Sequence, residues 1–302
     1  MSKHRVLLIL ILIVHLPIHA KWIWTPQGWI NTEYNNQDQA KKLVENGKKF
    51  LKKGDKAAAK ESFETAWEYF PDSEEGQEAL FLLAKLNEDS GNKYRAYQDL
   101  NQFLKSNPSS KKIQTIAEKQ YEIGYSIIRG KTSTPPEKGV EILRGVINRI
   151  PHAEFADDAQ MAIANFYYKN KRYQEAQVEY EELIKKHKQS EWLSRAKYLK
   201  ITCLQKLYKG DEYDVTPLKN AKKEIDSYVD SYGDTNEFEA AEKAQNDITE
   251  GLARKEISIA EFYIRRDKLH SAKIYLQYVL RKYPRTRSAQ KAKLLLKRIG
   301  KS

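Results

Sequence analysis

Residues 172–190 read RYQEAQVEYEELIKKHKQS, and residues 268–286 read KLHSAKIYLQYVLRKYPRT. Few letters are identical, but small, bulky and turn-forming residues occupy the same offsets in both. Counting from Ala176, bulky residues follow at offsets +4, +7 and +8, and a small polar residue follows at +14. Counting from Ala272, the same offsets again carry bulky side chains and then Thr286. The two stretches are therefore copies of one motif whose side-chain sizes matter more than its letters.

The motif occurs six times along the chain. Its first residue is small in every copy: Ala59, Ala96, Gly139, Ala176, Ala221 and Ala272. Offsets 0, +4, +7, +8 and +11 share one face of a helix with about 3.6 residues per turn, so each copy predicts an amphipathic helix. A small residue at offset 0 lets a neighbouring helix approach closely. Proline at +12, present in four copies, is expected to end the helix, because it has no amide hydrogen.

A second helical stretch precedes each motif, for example at 38–54, 74–91 and 157–170. A repeat length near 37 residues, with two helices in each repeat, is typical of tetratricopeptide (TPR) repeats. We therefore predict an all-α fold, a right-handed TPR-like α-solenoid of about six helix pairs plus a C-terminal helix. The expected repeats are 37–73, 74–110, 111–153, 154–190, 191–235 and 236–286, with the terminal helix at 287–300.

Three segments depart from this simple repeat. The polar stretches 130–139 and 209–220 are expected to project as loops from one edge of the stack. Between Asn236 and Arg266 only Gly251 interrupts a helical pattern. Both a single long helix and a break near Gly251 into two helices remain open.

The first twenty residues differ from the remainder of the chain. Lys3 and Arg5 precede the apolar run VLLILILIVHL, and the small residue Ala20 follows it, which is the layout of a secretory signal peptide. We predict a signal peptide at 1–20 and export of the chain, with an uncleaved anchor as the alternative. No cysteine follows the apolar run, so no N-terminal lipid anchor is expected. The single cysteine, Cys203, lies in an apolar pattern and is predicted to be buried.

Residues 21–36 are predicted to form a tryptophan-rich extended arm or hairpin. Trp22, Trp24 and Trp29 flank a turn signal made by Pro26 and Gly28. The tryptophans are expected either to pack on the first helix pair or to anchor the protein in the headgroup zone of a membrane.

Positive charge is concentrated at the C-terminal end. The basic segment, residues 281–302, contains no acid and has nine lysines and arginines, while the whole chain has a formal net charge of +12. We predict that it either caps the solenoid as a solvated helix or binds an acidic protein or an anionic membrane surface. Nucleic acid is not an expected partner, since no aromatic stacking platform accompanies the charge. The predicted contact residues are Arg281, Lys282, Arg285, Arg287, Lys291, Lys293, Lys297 and Arg298.

Aromatic residues on the first helices are a second candidate surface. Phe166 and Tyr167 are expected either to grip extended peptides in a groove or to belong to the core. No arrangement of residues favours catalysis, because His152, His187 and His270 lie far apart and no phosphate-binding or nucleophile motif occurs. We therefore expect no enzyme activity, no cofactor, no metal ion and no small-molecule substrate.

The sixth repeat resembles one particular family. Residues 252–286, LARKEISIAEFYIRRDKLHSAKIYLQYVLRKYPRT, are similar to the matching repeat of BamD, the TPR subunit of the machinery that assembles β-barrels in the outer membrane of Gram-negative bacteria. The family pattern falls on Glu256, Ala260, Phe262, Tyr263 and Arg266. Residues 161–187 resemble an earlier repeat, and the resemblance extends over about residues 110–300.

This resemblance implies a function and a location. It implies a periplasmic scaffold, peripheral to the outer membrane, which holds a barrel-inserting subunit through its C-terminal repeats and binds unfolded barrel precursors in its groove. Relatives are usually lipoproteins with five repeats, so this chain is expected to be a non-lipidated variant with extra N-terminal repeats. Tyr275 stands where some relatives have an arginine that helps to dock the barrel subunit. Two alternatives are a periplasmic TPR adaptor in envelope growth, division or polysaccharide export, and a peripheral membrane protein that uses its basic C-terminal helix.

Overall fold

The computed structural model describes residues 22–25, 28–31 and 37–300. The predicted signal peptide at 1–20 lies outside the described residues, as do the side chain of Trp22 and the last two residues. The chain divides into two compact units, Met1–Ser110 and Lys111–Ser302.

The N-terminal unit contains a β-hairpin and two helix pairs. Strands β1 (Trp22–Thr25) and β2 (Gly28–Asn31) pair antiparallel, with Trp24 opposite Trp29. Four helices follow: α1 (Gln37–Lys52), α2 (Lys56–Tyr69), α3 (Glu74–Asp89) and α4 (Lys93–Ser106). Each helix packs on the next, and α1 also contacts α3, which is how stacked helical hairpins pack.

The C-terminal unit contains four more helix pairs and a final helix. Its elements are α5 (Ile113–Ile128), α6 (Pro136–Arg149), α7 (Ala156–Lys169), α8 (Tyr173–Lys186), α9 (Leu193–Leu207), α10 (Thr216–Ser231), α11 (Phe238–Arg265), α12 (Leu269–Lys282) and α13 (Arg287–Ile299). Consecutive helices pack on one another, and α5 contacts α7 just as α11 contacts α13. Within the described residues the two units supply six helix pairs and a terminal helix, so the predicted all-α TPR-like fold is confirmed.

Burial follows the offsets of the repeated motif. The residues at offsets 0, +4 and +7 are buried in all six copies. The motif helices, which are the even-numbered ones from α2 to α12, all end at offset +10, and the C-cap residue stands at offset +11. There the backbone amide donates to the carbonyl at +7, and the amide at +14 donates back to the carbonyl at +11 over 3.1–3.3 Å. This turn also forms where Lys188 and Gly233 replace the proline, so proline supports the turn without being required for it.

The third motif begins with glycine because two helix backbones meet there. A Cβ placed on Gly139 would lie 2.7 Å from the carbonyl oxygen of Gly124 and 2.8 Å from the backbone nitrogen of Ile128. Helices α5 and α6 therefore cross at a distance that excludes even a methyl group. The other five motifs carry alanine at this position, so the α5–α6 crossing is the closer one.

Helix α11 is a single helix of 28 residues, without a break at Gly251. A Cβ on Gly251 would lie 2.8 Å from Cδ2 of Leu218 on α10. The glycine thus makes room for a neighbouring helix. Residues on α11 up to Leu252 join an apolar cluster with α9 and α10, and residues from Ala253 onward join a second cluster with α12 and α13.

The long connection between α9 and α10 is fastened to α11. Arg254 donates to the Asp211 carboxylate at 2.8 Å, and the Lys255 ammonium donates to the Asp211 carbonyl at 2.5 Å. The Tyr208 hydroxyl donates to the same carboxylate at 2.5 Å. This connection, expected to project from the stack, lies instead against the next helix, where Arg254 pairs with its carboxylate and Lys255 bonds to its backbone.

Candidate interaction surfaces

The predicted contact residues of the basic segment are all exposed on the C-terminal unit. Arg281 and Lys282 end helix α12, Arg285 lies in the following turn, and the other five are on α13. Lys291 forms an ion pair with Glu261 of α11 at 2.5 Å. The structure therefore brings these cations together on one end of the unit, and their role as contact residues remains a prediction.

Helix α13 is fixed to α11 by hydrogen bonds at its first turn. The Glu250 carboxylate accepts from the backbone amides of Arg287 and Ser288 at 2.8 and 3.1 Å, and from the Ser288 hydroxyl at 2.7 Å. The Thr286 hydroxyl caps the same turn by accepting from the amide of Ala289 at 3.1 Å. Since the first amides of a helix have no partner within the helix, these oxygens satisfy donors that would otherwise need water.

The two faces of α13 differ in character. Ala289, Ala292 and Ile299 are buried in the cluster shared with α11 and α12. Leu294 points away from that cluster and is 70% exposed. A leucine so exposed contributes little to the core, and the apolar surface it offers is surrounded by cations of the same helix.

A groove of about 450 Å³ lies between α11 and the turn that joins α12 to α13. Lys282, Arg285 and Arg287 line one side, and the acids Asp247 and Glu250 line the other. The groove therefore has mixed charge, whereas the outer face of α13 is uniformly basic.

Family-pattern residues occupy the C-terminal half of α11. Ala260 is buried, whereas Phe262 is exposed and carries the Arg266 guanidinium 4.8 Å from its ring centre. Tyr263 packs edge-on against Phe262 at 5.5 Å. Burial raises the pKa of Glu256 above its ordinary value, although Lys219 and Lys255 oppose the shift.

Tyr275 of α12 stacks on Tyr263 of α11. The ring centres are 5.6 Å apart and the planes are 18° from parallel. Tyr275 lies at offset +3 of its motif, and Glu179 and Glu224 occupy this offset in two other motifs. Each of those acids hydrogen-bonds to the first helix of its own pair, through Gln160 and Lys200 respectively. In these three pairs the residue at offset +3 thus joins the two helices, through an acid in two of them and through aromatic rings in the last.

The two predicted groove aromatics lie in different environments. Phe166 is buried in a cluster with Val140 and Ile163, so it belongs to the core. Tyr167 is half-buried; the Arg172 guanidinium lies 4.6 Å from its ring centre, and Arg144 donates to its hydroxyl at 3.4 Å. Of the two, only Tyr167 presents surface to a partner.

A row of aromatic rings on α5 was not predicted. Tyr121 stacks on Phe155 at 5.1 Å and on Tyr125 at 5.8 Å, and the Arg129 guanidinium lies 5.5 Å from the Tyr125 ring. Burial is the main cause that raises the pKa of Tyr121 to about 12, and the negative charge of the nearby Asp158 adds to the effect. The four-residue spacing of Tyr121, Tyr125 and Arg129 would have placed them on one helix face, but nothing in the sequence joined Phe155 to them.

The N-terminal hairpin exposes two of its tryptophans. Trp24 and Trp29, partners across the strands, are 66% and 67% exposed. Their role as an anchor or partner contact stays a prediction.

In residues 22–25, 28–31 and 37–300 no group of three His, Cys, Asp or Glu side chains could hold a metal ion. No helix in these same ranges is long and apolar enough to cross a membrane. Cys203 is buried, and burial raises the pKa of its thiol to about 12.

These features define a class of protein. Stacked helix pairs with surface aromatic and basic patches form a TPR-like scaffold, a type of fold that serves protein–protein interaction. A model of the YfiO family, described as outer membrane lipoprotein, matches residues 36–129 and 117–299. The chain belongs to this family. The match at 36–129 includes the first two helix pairs, whereas the resemblance visible in the sequence begins at about residue 110.

Several solved structures are similar in fold. MamA shares 19% identity over 65% of this chain and 96% of its own, with a TM-score of 0.34. A tetratricopeptide repeat protein from Parabacteroides merdae shares 14% over 87% and 99%, with a TM-score of 0.33. PilW, a widely conserved type IV pilus biogenesis factor, shares 14% over 83% and 97%, with a TM-score of 0.28. At these values the likenesses carry no argument about function. No curated protein sequence matches the chain.

Proposed function

We propose that this protein is a BamD-like periplasmic scaffold of the machinery that assembles β-barrel proteins in the outer membrane. It binds a barrel-inserting subunit through its C-terminal repeats. The observation that carries the proposal is the family match over residues 117–299, which includes the whole sixth repeat. In this proposal the protein is exported and peripheral to the outer membrane.

The barrel-inserting subunit docks on the end of α11 and on α12. Phe262 and Arg266 form an exposed ring–cation pair there, and aromatic residues with arginine are enriched at the centres of protein interfaces. Tyr275 lies beside them through its contact with Tyr263. A stacked tyrosine thus takes the place of the arginine that some relatives use, and it offers a flatter and less polar contact.

Unfolded barrel precursors bind along α5 and α7. The row formed by Phe155, Tyr121 and Tyr125 ends in Arg129, and Tyr167 lies on the neighbouring helix α7. Barrel segments alternate apolar and polar residues, so such a segment could place apolar side chains against these rings.

The test is affinity purification of the tagged chain from detergent-solubilised envelopes. Recovery of a barrel protein that carries periplasmic repeat domains is expected. The double substitution Phe262→Ala with Arg266→Ala should reduce its recovery about tenfold or more, since hot-spot side chains are each worth about 2 kcal/mol. The matched control is Val178→Ser, which alters an exposed apolar residue on α8.

Other outcomes of this purification would overturn the proposal. Recovery of division or polysaccharide-export proteins in place of a barrel protein would support an adaptor role in envelope growth or export. Equal recovery of the barrel protein by the double variant and the control would remove α11 and α12 from the interface.

A further inference from the structure

We propose that the outer face of α13 binds an anionic membrane surface, with Leu294 inserted among the lipids and the surrounding cations on the phosphates. This inference does not depend on the identity of the protein partner. It concerns α13, whereas the proposed partner docks on α11 and α12.

The orientation of α13 is fixed by contacts at its first turn and along one side. Glu250 holds the amides of Arg287 and Ser288, and Ala289 and Ala292 are buried against α11 and α12. A helix anchored at its first turn and packed along one side cannot rotate about its axis. The opposite side is therefore presented to solvent as a constant surface.

The solvent-facing side of α13 is arranged around one apolar residue. Leu294 is 70% exposed. Lys291 and Lys297 lie three residues before and after it, and Arg298 lies four residues after it, which places all three around it on the helix surface. The result is a protruding apolar side chain with cations on both sides.

The positive charge of this outer face is only partly neutralised by acids. Residues 281–302 contain no acid. Lys291 is paired with Glu261. Within the described residues, no carboxylate lies at ion-pair distance from Lys293 or Lys297, so these ammonium groups are available to an external anion.

A lipid surface fits this arrangement better than a protein does. A protein would need a pocket for Leu294 and acids placed to meet each cation, whereas a bilayer interface accepts apolar insertion and positive charge at any position. Helices with a basic polar face and an apolar residue at the interface bind anionic lipid in this way. An acidic protein partner is the competing occupant, and it is an outcome of the test.

The test measures binding of the full chain to two kinds of vesicle. One contains about 30% phosphatidylglycerol in phosphatidylcholine, a composition chosen so that only charge differs from the other, which is phosphatidylcholine alone. The apolar run at 6–16 would bind both kinds, so the ratio of the two affinities is the readout. The ratio should exceed about 30-fold at low salt and fall as salt is added.

Substitutions then assign the preference to α13. The double variant Lys293→Ala with Lys297→Ala should lower the affinity for anionic vesicles about 30-fold and leave neutral vesicles unchanged. Leu294→Gln should lower it about tenfold. The controls are Lys49→Ala with Lys52→Ala on α1, and Val178→Gln on α8, which alter exposed residues of the same types.

Two results would overturn the inference. One is a preference for anionic vesicles that the α13 variants retain while circular dichroism shows them folded. The other is no preference in the unsubstituted chain, combined with loss of a co-purifying acidic protein from the α13 variants, which would assign the face to that protein. A failed purification with the α11–α12 variants would leave this vesicle test unaffected, so the two proposals fail separately.

Discussion

Glu250 and Ser288 join two helices through two hydrogen bonds, at 3.1 Å to the backbone amide and 2.7 Å to the hydroxyl. Glu250 belongs to α11 and Ser288 to the first turn of α13. The carboxylate therefore acts as a cap supplied from outside the helix, and it places negative charge where the helix dipole is positive.

Replacing this carboxylate should loosen α13. Glu250→Ala is expected to lower the free energy of unfolding by about 1–2 kcal/mol, because backbone amides of the first turn lose their acceptor. Urea unfolding would measure the loss, and faster hydrogen exchange of the α13 amides would locate it. Asp247→Asn, an exposed change one turn earlier on α11, should leave both measurements unchanged. Equal exchange rates in α13 of the two variants would contradict the role assigned to Glu250.

Two glycines of α6 should respond oppositely to the same substitution. Gly139→Ala should destabilise the protein by about 1–3 kcal/mol, because its Cβ would meet backbone atoms of α5 at 2.7–2.8 Å. Gly145→Ala meets nothing within 4 Å and should stabilise it by about 0.5–1 kcal/mol through helix propensity. Thermal and urea unfolding of both variants check the signs. Five motifs carry alanine where Gly139 stands, so sequence comparison alone would suggest that Gly139→Ala is harmless.

Glu256 should make stability depend on pH. Because burial raises its pKa above the ordinary value of 4.5, the folded protein holds this proton more tightly than the unfolded chain does. Binding of this proton contributes to the free energy of unfolding. That stabilisation is complete below the ordinary pKa of Glu256 and is lost as the pH rises through the pKa in the folded protein. Glu256→Gln should therefore gain stability at neutral pH, and the difference should vanish below about pH 4. Urea unfolding at several pH values tests this, with the exposed Glu242→Gln on the same helix as the control.

Cys203 should be inert in the folded protein. Burial raises the pKa of its thiol to about 12, so almost no reactive thiolate exists at pH 8. A thiol-reactive dye should label the native chain only as fast as the structure opens, and should label one thiol at once in denaturant. Labelling that is complete within the mixing time in native buffer would contradict the packing of α9.

The sequence predicted the helices well because each motif depends on side-chain size at fixed offsets, a local and periodic property. The turn after the motif helix also forms at Lys188 and Gly233, where the motif has no proline. Contacts between distant segments could not be predicted in the same way. Glu250 and Ser288 are 38 residues apart, and no spacing rule links a mid-helix acid to a later helix start.

The candidate surfaces illustrate the same division. The basic segment was found because charge can be counted along the chain. The burial of Phe166 beside the half-buried Tyr167 could not be predicted, because the two are adjacent on α7 and their environments depend on how the neighbouring helices pack. The ion pair between Asp211 and Arg254 was not predicted, because the polar composition of the loop indicated exposure. Asp211 pairs with an arginine that lies on a helix 43 residues later in the chain.

The unbroken course of α11 has a mechanical consequence for the last two repeats. The single helix α11 packs in two successive apolar clusters. Near its midpoint, Arg254 binds the loop that contains Asp211. The fifth and sixth repeats cannot swing relative to each other unless one cluster opens. A partner that binds at the Phe262 end of α11 and displaces that end would therefore also displace the other end of the helix. That other end packs against α9 and α10, so the movement would reach the preceding repeat.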